Sequence, residues 1–224
     1  MRTKEFYERY WQTDGAPPQR DPTTAEREAH LADALRALSG TGGPGNFHVL
    51  DAGCGDATFM AFLQGLGFRV SGIELSSAAA ARARRRCPNA NIQVGSLEDP
   101  LPFVDAAFDA IWCTEVLEHL FDVHAALTEF NRVLNEKGTL LLTTPYHGLV
   151  KNLAIVLIGF DQHFNPEISH IRFFTRPTLE RCLRRAGFVP VAWKGVGRTW
   201  PLWKSFFVVA RKQGPVAPPP DIVG

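Results

Sequence analysis

The segment Glu115-Val116-Leu117-Glu118-His119 carries two carboxylates and an imidazole at steps of three and four residues. On a helix those three side chains share one face. Two acids and an imidazole are costly to gather without a cation among them, which suits a divalent metal that activates a hydroxyl acceptor. A candidate fourth ligand, His170, follows in Ser169-His170-Ile171-Arg172. Mixed oxygen and nitrogen ligands fit magnesium, manganese or iron equally. Without a metal, His119 is instead a candidate general base or a structural histidine. His147, in Thr144-Pro145-Tyr146-His147-Gly148, is a second candidate base, with a satisfied loop histidine as its alternative.

A second set of residues suits nucleotide binding. Asp51-Ala52-Gly53-Cys54-Gly55-Asp56-Ala57-Thr58 places two glycines one residue apart, where a tight strand-to-helix turn lets a ligand approach the backbone. Thr58 stands where the dinucleotide fingerprint has its third glycine, so the loop alone also reads as a plain turn, and a nicotinamide-dependent oxidoreductase is disfavoured. Glu74 comes 21 positions after Gly53, at the end of the next apolar run, where a carboxylate can accept both hydroxyls of a ribose. Gly95-Ser96-Leu97 ends the run after that. Three such features at three successive strand ends point to one ligand.

The elements that must position these residues alternate along the chain. Strands are expected over Phe47 to Ala52, Phe68 to Glu74, Ile92 to Val94, Phe108 to Cys113 and Gly138 to Thr143. Helices are expected near Ala57 to Leu66, Ser77 to Arg86 and Val123 to Leu134. Thr175-Arg176-Pro177 opens a later helix, Gly187 closes it, and Phe188 to Trp193 with Ser205 to Arg211 form an antiparallel pair. Such a chain folds as an α/β domain, a mostly parallel sheet with helices on both faces and ligands at the carboxyl ends of the strands. Ahead of it, Phe6, Tyr7, Tyr10 and Trp11 share one face of a short helix that stops at Gly15 to Pro18. Thr23 and Glu26 fit a capping box for a second helix with Leu31, Leu35 and Leu38 inward. The expected organisation is N-terminal helices over 1–45, the α/β domain over 46–212 with an apolar insertion at 149–166, and a mobile Pro-rich tail over 213–224. The insertion suits a pocket wall, with a membrane contact or a homodimer face as alternatives.

Composition narrows the classes. The chain's 224 residues suffice for one sizeable core, and 24 basic against 23 acidic side chains argue against a protein held to nucleic acid by bulk charge. Four scattered cysteines, none in a C-x-x-C pair, suit reduced thiols rather than a disulfide framework. With no apolar signal core at the N-terminus and no apolar run of spanning length, a soluble, cytoplasmic protein is expected.

Several motifs resemble those of the class I S-adenosylmethionine-dependent methyltransferases. Val49-Leu50-Asp51-Ala52-Gly53-Cys54-Gly55 is similar to their first motif and Gly72-Ile73-Glu74-Leu75-Ser76 to their second. Leu101-Pro102-Phe103 through Phe108-Asp109-Ala110-Ile111 resembles the segment entering the fourth strand, and Arg132-Val133-Leu134 through Gly138-Thr139-Leu140-Leu141-Leu142 the one entering the fifth. The resemblance implies a Rossmann-like sheet of order 3-2-1-4-5-7-6. It also implies S-adenosylmethionine bound by Asp51, Gly53, Cys54, Gly55, Glu74, Leu75, Ser96, Leu97 and Thr114, with Tyr10 and Trp11 on a closing N-terminal helix or simply packed on the sheet. The E-x-x-E-H segment with a later histidine resembles ubiquinone-biosynthesis O-methyltransferases and metal-dependent small-RNA 2′-O-methyltransferases, which implies Glu115, Glu118, His119 and His170 as metal ligands. The expected activity is O-methylation of a small, partly apolar molecule. N- or C-methylation, RNA 2′-O-methylation and a non-catalytic cofactor-binding module are the alternatives.

Overall fold

The computed structural model describes residues 3–13, 22–163 and 171–217. His170, the Gly15 to Pro18 stop, the last residues of the insertion and the end of the tail lie outside them. Seven strands form one sheet in the order β3-β2-β1-β4-β5-β7-β6. They are β1 (His48–Ala52), β2 (Arg69–Glu74), β3 (Asn91–Val94), β4 (Phe108–Thr114), β5 (Leu134–Pro145), β6 (Phe188–Val196) and β7 (Ser205–Lys212). β1 to β5 pair in parallel, and β7 lies antiparallel between β5 and β6.

The helices are α1 (Thr3–Thr13), α2 (Thr24–Ser39), α3 (Thr58–Gly65), α4 (Ser77–Arg86), α5 (Val123–Val133), α6 (Leu149–Ile158), α7 (Phe160–His163) and α8 (Arg176–Arg185). The inner strands are apolar on both faces because each face meets helices. Leu50, Ile111, Leu140 and Leu142 belong to the core under α5 and α8. Val49, Ala110, Trp112 and Leu141, one step along the same strands, belong to the core under α2, α3 and α4.

Three local expectations give way. β5 begins at Leu134 rather than Gly138, because Leu134 pairs with Phe108 across a register shift and Asn135 Nδ2 donates to Asp109 Oδ1 at 2.7 Å. The polar Asn135-Glu136-Lys137 run reads as a loop, yet it lies within β5, in the register shift between the Phe108–Leu134 and Ala110–Thr139 pairs. The capping box at Thr23 is not formed: Thr23 makes no side-chain cap bond, and Glu26 instead accepts the Gly197 N–H at 2.8 Å. Helical spacing across Glu115 to His119 also fails. Glu115 has φ of 51°, outside the right-handed helix, and its N–H continues the β4–β5 ladder to Thr143 O at 2.9 Å. Only Leu117–His119 coils, as a single 3₁₀ turn. The two acids and the imidazole therefore leave the strand in different directions from those of a common helix face.

Candidate active site

A cavity of about 520 Å³ opens at the carboxyl ends of the parallel strands. The turn after β1 contributes Gly53 and Gly55, β2 ends in Glu74 and Leu75, and the loop after β3 adds Ser96, Leu97 and Glu98. Thr114 to Val116, His119 and Leu120 wall the side beyond β4, and Phe6, Tyr7, Tyr10 and Trp11 of α1 cover it. Of the residues expected to bind a cofactor, Tyr10, Trp11, Gly53, Gly55, Glu74, Leu75, Ser96, Leu97 and Thr114 meet around this space. Asp51 and Cys54 do not line it but lie buried beside it.

Close approach to the backbone is built into the first turn. Gly53 has φ of 79°, and a Cβ there would stand 2.6 Å from Val116 Cγ2. Gly55 has φ of 54° and faces the Trp11 ring, 3.3 Å from where its Cβ would be. Glu74 is buried, with Oε2 accepting the Gly55 N–H and Oε1 the Ser76 N–H, both at 2.9 Å. Each oxygen keeps a lone pair for a further donor. Burial raises the Glu74 pKa, and the Ser76 and Gly55 N–H groups oppose the rise. Asp51 is more extreme: neither oxygen has a hydrogen-bond partner, and burial, then Glu74 and Asp56, push its pKa up to about 8. Asp51 without donors, and Glu74 with a spare lone pair on each oxygen, beside a cavity of this size fit a ligand with a ribose diol and positive charge. S-adenosylmethionine has both.

α1 is latched over the cavity by a residue that sequence reading passed over. Glu8 caps α4 from 69 residues away: Oε2 accepts the Ser77 N–H at 2.9 Å and Oε1 the Ala78 N–H at 3.2 Å, while the Ser76 and Ser77 hydroxyls add bonds of 2.9 and 2.8 Å. Ser76 Oγ accepts the next free N–H, that of Ala79. The first turn of α4 is thereby satisfied, and its positive end faces a carboxylate. The Ser77 hydroxyl bond is the main reason that the Glu8 pKa lies below its ordinary value. Arg82 holds the other end of α1, donating to Trp11 O at 2.7 Å beneath the Trp11 ring. No local pattern signals Glu8, because its partners are remote in sequence. Replacing Glu8 with Ala should leave the domain folded while weakening S-adenosylhomocysteine binding about tenfold, mainly through faster release. Stopped-flow dissociation and calorimetry will measure both, and unchanged kinetics would mean that α1 is packing rather than a lid.

At the far wall, His119 lines the cavity and meets Tyr7 edge-on, ring centroids 5.9 Å apart. Glu118 points inward and is fully buried. Its Oε2 accepts from Thr144 Oγ1 at 3.1 Å, and Oε1 lies 3.9 Å from His119 Nε2 without a hydrogen-bond donor. Glu115 turns toward α2, with Oε1 3.6 Å from Arg27 and Oε2 accepting from Ser205 Oγ at 3.2 Å. Among the described residues no three His, Cys, Asp or Glu side chains are grouped to hold a metal ion. His147 is buried away from the cavity, against Asn152 and the Phe173 ring, with its N–H on Phe174 O.

Burial, then Glu115, raises the Glu118 pKa from 4.5 to about 8. The folded state thus holds this proton more tightly than the unfolded chain does. Its stabilising contribution is full below pH 4.5 and is lost as pH rises through 8. Glu118→Gln keeps an acceptor for Thr144 and removes the buried charge. It should raise the melting temperature by several degrees at alkaline pH and little at acid pH. A thermal shift equal at both pH values would refute the assignment of that proton to Glu118.

The chain's similarities agree with this geometry. The methyltransferase-domain family matches residues 24–192. A probable S-adenosylmethionine-dependent methyltransferase of Mycolicibacterium smegmatis is 34% identical over 140 residues, 62% of this chain and 51% of that protein. The chain thus spans about half the length of that relative and of those from Mycobacterium tuberculosis. The ubiquinone biosynthesis O-methyltransferase of Xanthomonas axonopodis pv. citri is 31% identical over 187 residues, 80% of this chain and 75% of that protein. In fold, the Burkholderia thailandensis 1,6-didemethyltoxoflavin-N1-methyltransferase, crystallised with S-adenosylhomocysteine, superposes with a TM-score of 0.70 over 94% of this chain and 87% of its own, at 20% identity. With this family match, its sheet order, its glycine turn and the carboxylate that ends β2, the chain belongs to the class I S-adenosylmethionine-dependent methyltransferases.

Proposed function

We propose that this protein transfers a methyl group from S-adenosylmethionine to a hydroxyl of a small, partly apolar molecule, with His119 as the base. The observation that carries this reading is that His119 is the one imidazole, among the described residues, lining the cavity that Gly53 and Glu74 also line. The sulfonium supplies an already activated methyl carbon, so the protein's work is alignment, exclusion of water and removal of the acceptor proton. Gly53 and Gly55 bring the backbone against the donor, and Glu74 fixes the ribose. Tyr7, Val116 and Leu120 offer apolar surface beside His119, which favours an acceptor with a hydrocarbon face. Glu118, when ionised, favours the imidazolium formed as the acceptor proton arrives at His119. Oxygen as the acceptor atom is supported by the O-methyltransferase activity in the name of the Xanthomonas relative.

In this reading His119 acts without a metal: Glu115 is engaged by Arg27 and Ser205, and among the described residues only Glu118 and His119 of the expected ligands lie near one another, His170 being outside them. Incubation with methyl-labelled S-adenosylmethionine and a library of phenolic and other hydroxylated metabolites, read by mass spectrometry, tests the reading. The expected products carry one labelled methyl on oxygen, in the presence of excess chelator. Label found only on nitrogen or carbon, or lost with chelator and restored by magnesium or manganese, would overturn it.

A further inference from the structure

No described residue of the insertion after β5 lines the cavity. None of the ten residues of α6 is buried. Leu149, Leu157 and Ile158 are 85%, 71% and 87% exposed, and Leu153 and Phe160 are more than half exposed. Single exposed apolar side chains are ordinary, but a run of them along one face of a helix, turn after turn, marks a contact surface. At 1.5 Å per residue α6 is about 15 Å long. Among the described residues no helix is long and apolar enough to cross a membrane.

Among the described residues the charge beside this helix is mainly positive. Lys151, its only charged residue, donates to Tyr146 O at 2.7 Å and to Lys204 O at 3.1 Å, tying α6 to the β6–β7 turn. From Lys194 to Lys204 that turn carries Lys194, Arg198 and Lys204 and no acid, with Trp200 72% exposed at its tip. The nearest acids are already engaged, Glu26 by the Gly197 N–H and Glu115 by Arg27 and Ser205, while Asp161 follows the apolar run on α7. Burial and then the charge of Arg198 hold the Lys151 pKa down to about 8, with Lys204 adding to the fall and Glu115 opposing it. A second copy of the chain would bring the same cations against these ones. A surface of anionic headgroups over hydrocarbon complements both features at once.

We propose that α6 and the β6–β7 turn dock this protein on an anionic phospholipid bilayer, with Leu153, Leu157, Ile158 and Trp200 entering the interface and Arg198 and Lys204 meeting the headgroups. α6 leaves β5 at the carboxyl end of the sheet, the end that also holds the cavity, so docking brings the cavity to the membrane side. The proposal stands independently of the acceptor atom and of His119.

Co-sedimentation of the full chain with phosphatidylcholine vesicles, with and without phosphatidylglycerol, tests it. Binding to the anionic vesicles should be at least about tenfold stronger and should fall with added salt. Leu157→Glu with Ile158→Glu should abolish it, and Arg198→Glu should weaken it severalfold, while S-adenosylhomocysteine affinity in free solution stays unchanged. Equal partition to both vesicle types, or full binding by the double variant, would overturn the proposal. So would self-association in sedimentation velocity that Leu157→Glu removes while vesicles go unbound, which assigns the face to a second copy. The wild-type vesicle comparison needs no variant to fold.

Discussion

Glu74→Ala should weaken S-adenosylhomocysteine binding by at least about 100-fold, because hydrogen bonds to a charged group contribute about 1.5–3 kcal/mol each and the proposed ribose site loses two. The loss has a second source: Glu74 also holds the Gly55 and Ser76 N–H groups at 2.9 Å, so the glycine turn and the start of α4 lose their shared anchor. Glu74→Gln separates the two effects. It keeps one acceptor for the turn and should recover part of the affinity without restoring it. Gly53→Val acts differently, on shape. Its φ of 79° disfavours any side chain, and a Cβ would sit 2.6 Å from Val116 Cγ2, filling the approach that the ligand needs. Binding should be lost to calorimetry in this variant, with circular dichroism as the control for folding. Affinities within threefold of wild type in both Glu74→Ala and a folded Gly53→Val would remove the cofactor from this cavity altogether.

The sheet was legible because its signals are local. Short apolar runs, glycines at turns and a carboxylate one strand further on are set by neighbours a few residues apart, and β1 to β4 appear within a residue or two of expectation. The residues read at the ends of β1 to β4 line one cavity for the same reason, Asp51 and Cys54 excepted. The Glu115 to His119 segment was harder to read. E-x-x-E-H suggests a helix face only if the backbone remains helical, and Glu115 at φ of 51° breaks that condition. The partners that decide its fate, Arg27 on α2 and Ser205 on β7, come from distant parts of the chain. Glu8 was hidden for the same reason. The apolar insertion misled in another way: strong hydrophobicity ordinarily means burial within the chain, yet among the described residues no side chain of α6 is fully buried. A pattern of residue types reports what a segment prefers to touch, not whether that contact lies in the same molecule.

His119→Ala should lower turnover by 10²-fold or more, the usual worth of a positioned base being about 10²–10⁴. Cofactor affinity should change less than threefold, because His119 stands on the wall beyond β4, apart from the glycine turn and Glu74 at the ends of β1 and β2 that we propose hold the donor. His147→Ala gives the contrast. His147 is buried against Phe173 and Asn152, so its loss should lower the melting temperature and reduce turnover only in proportion to the folded fraction. The pH profile then distinguishes a base from a structural imidazole. In the wild type, turnover should rise with pH as His119 loses its proton. In His119→Ala that limb should vanish, leaving a low rate that climbs only as the acceptor itself ionises. Acceptors of lower hydroxyl pKa should therefore be rescued preferentially, since they need the least help to lose the proton. If His119→Ala retains wild-type turnover and the same rising limb, the base lies elsewhere. If it loses activity equally for all acceptors together with cofactor affinity, His119 is structural.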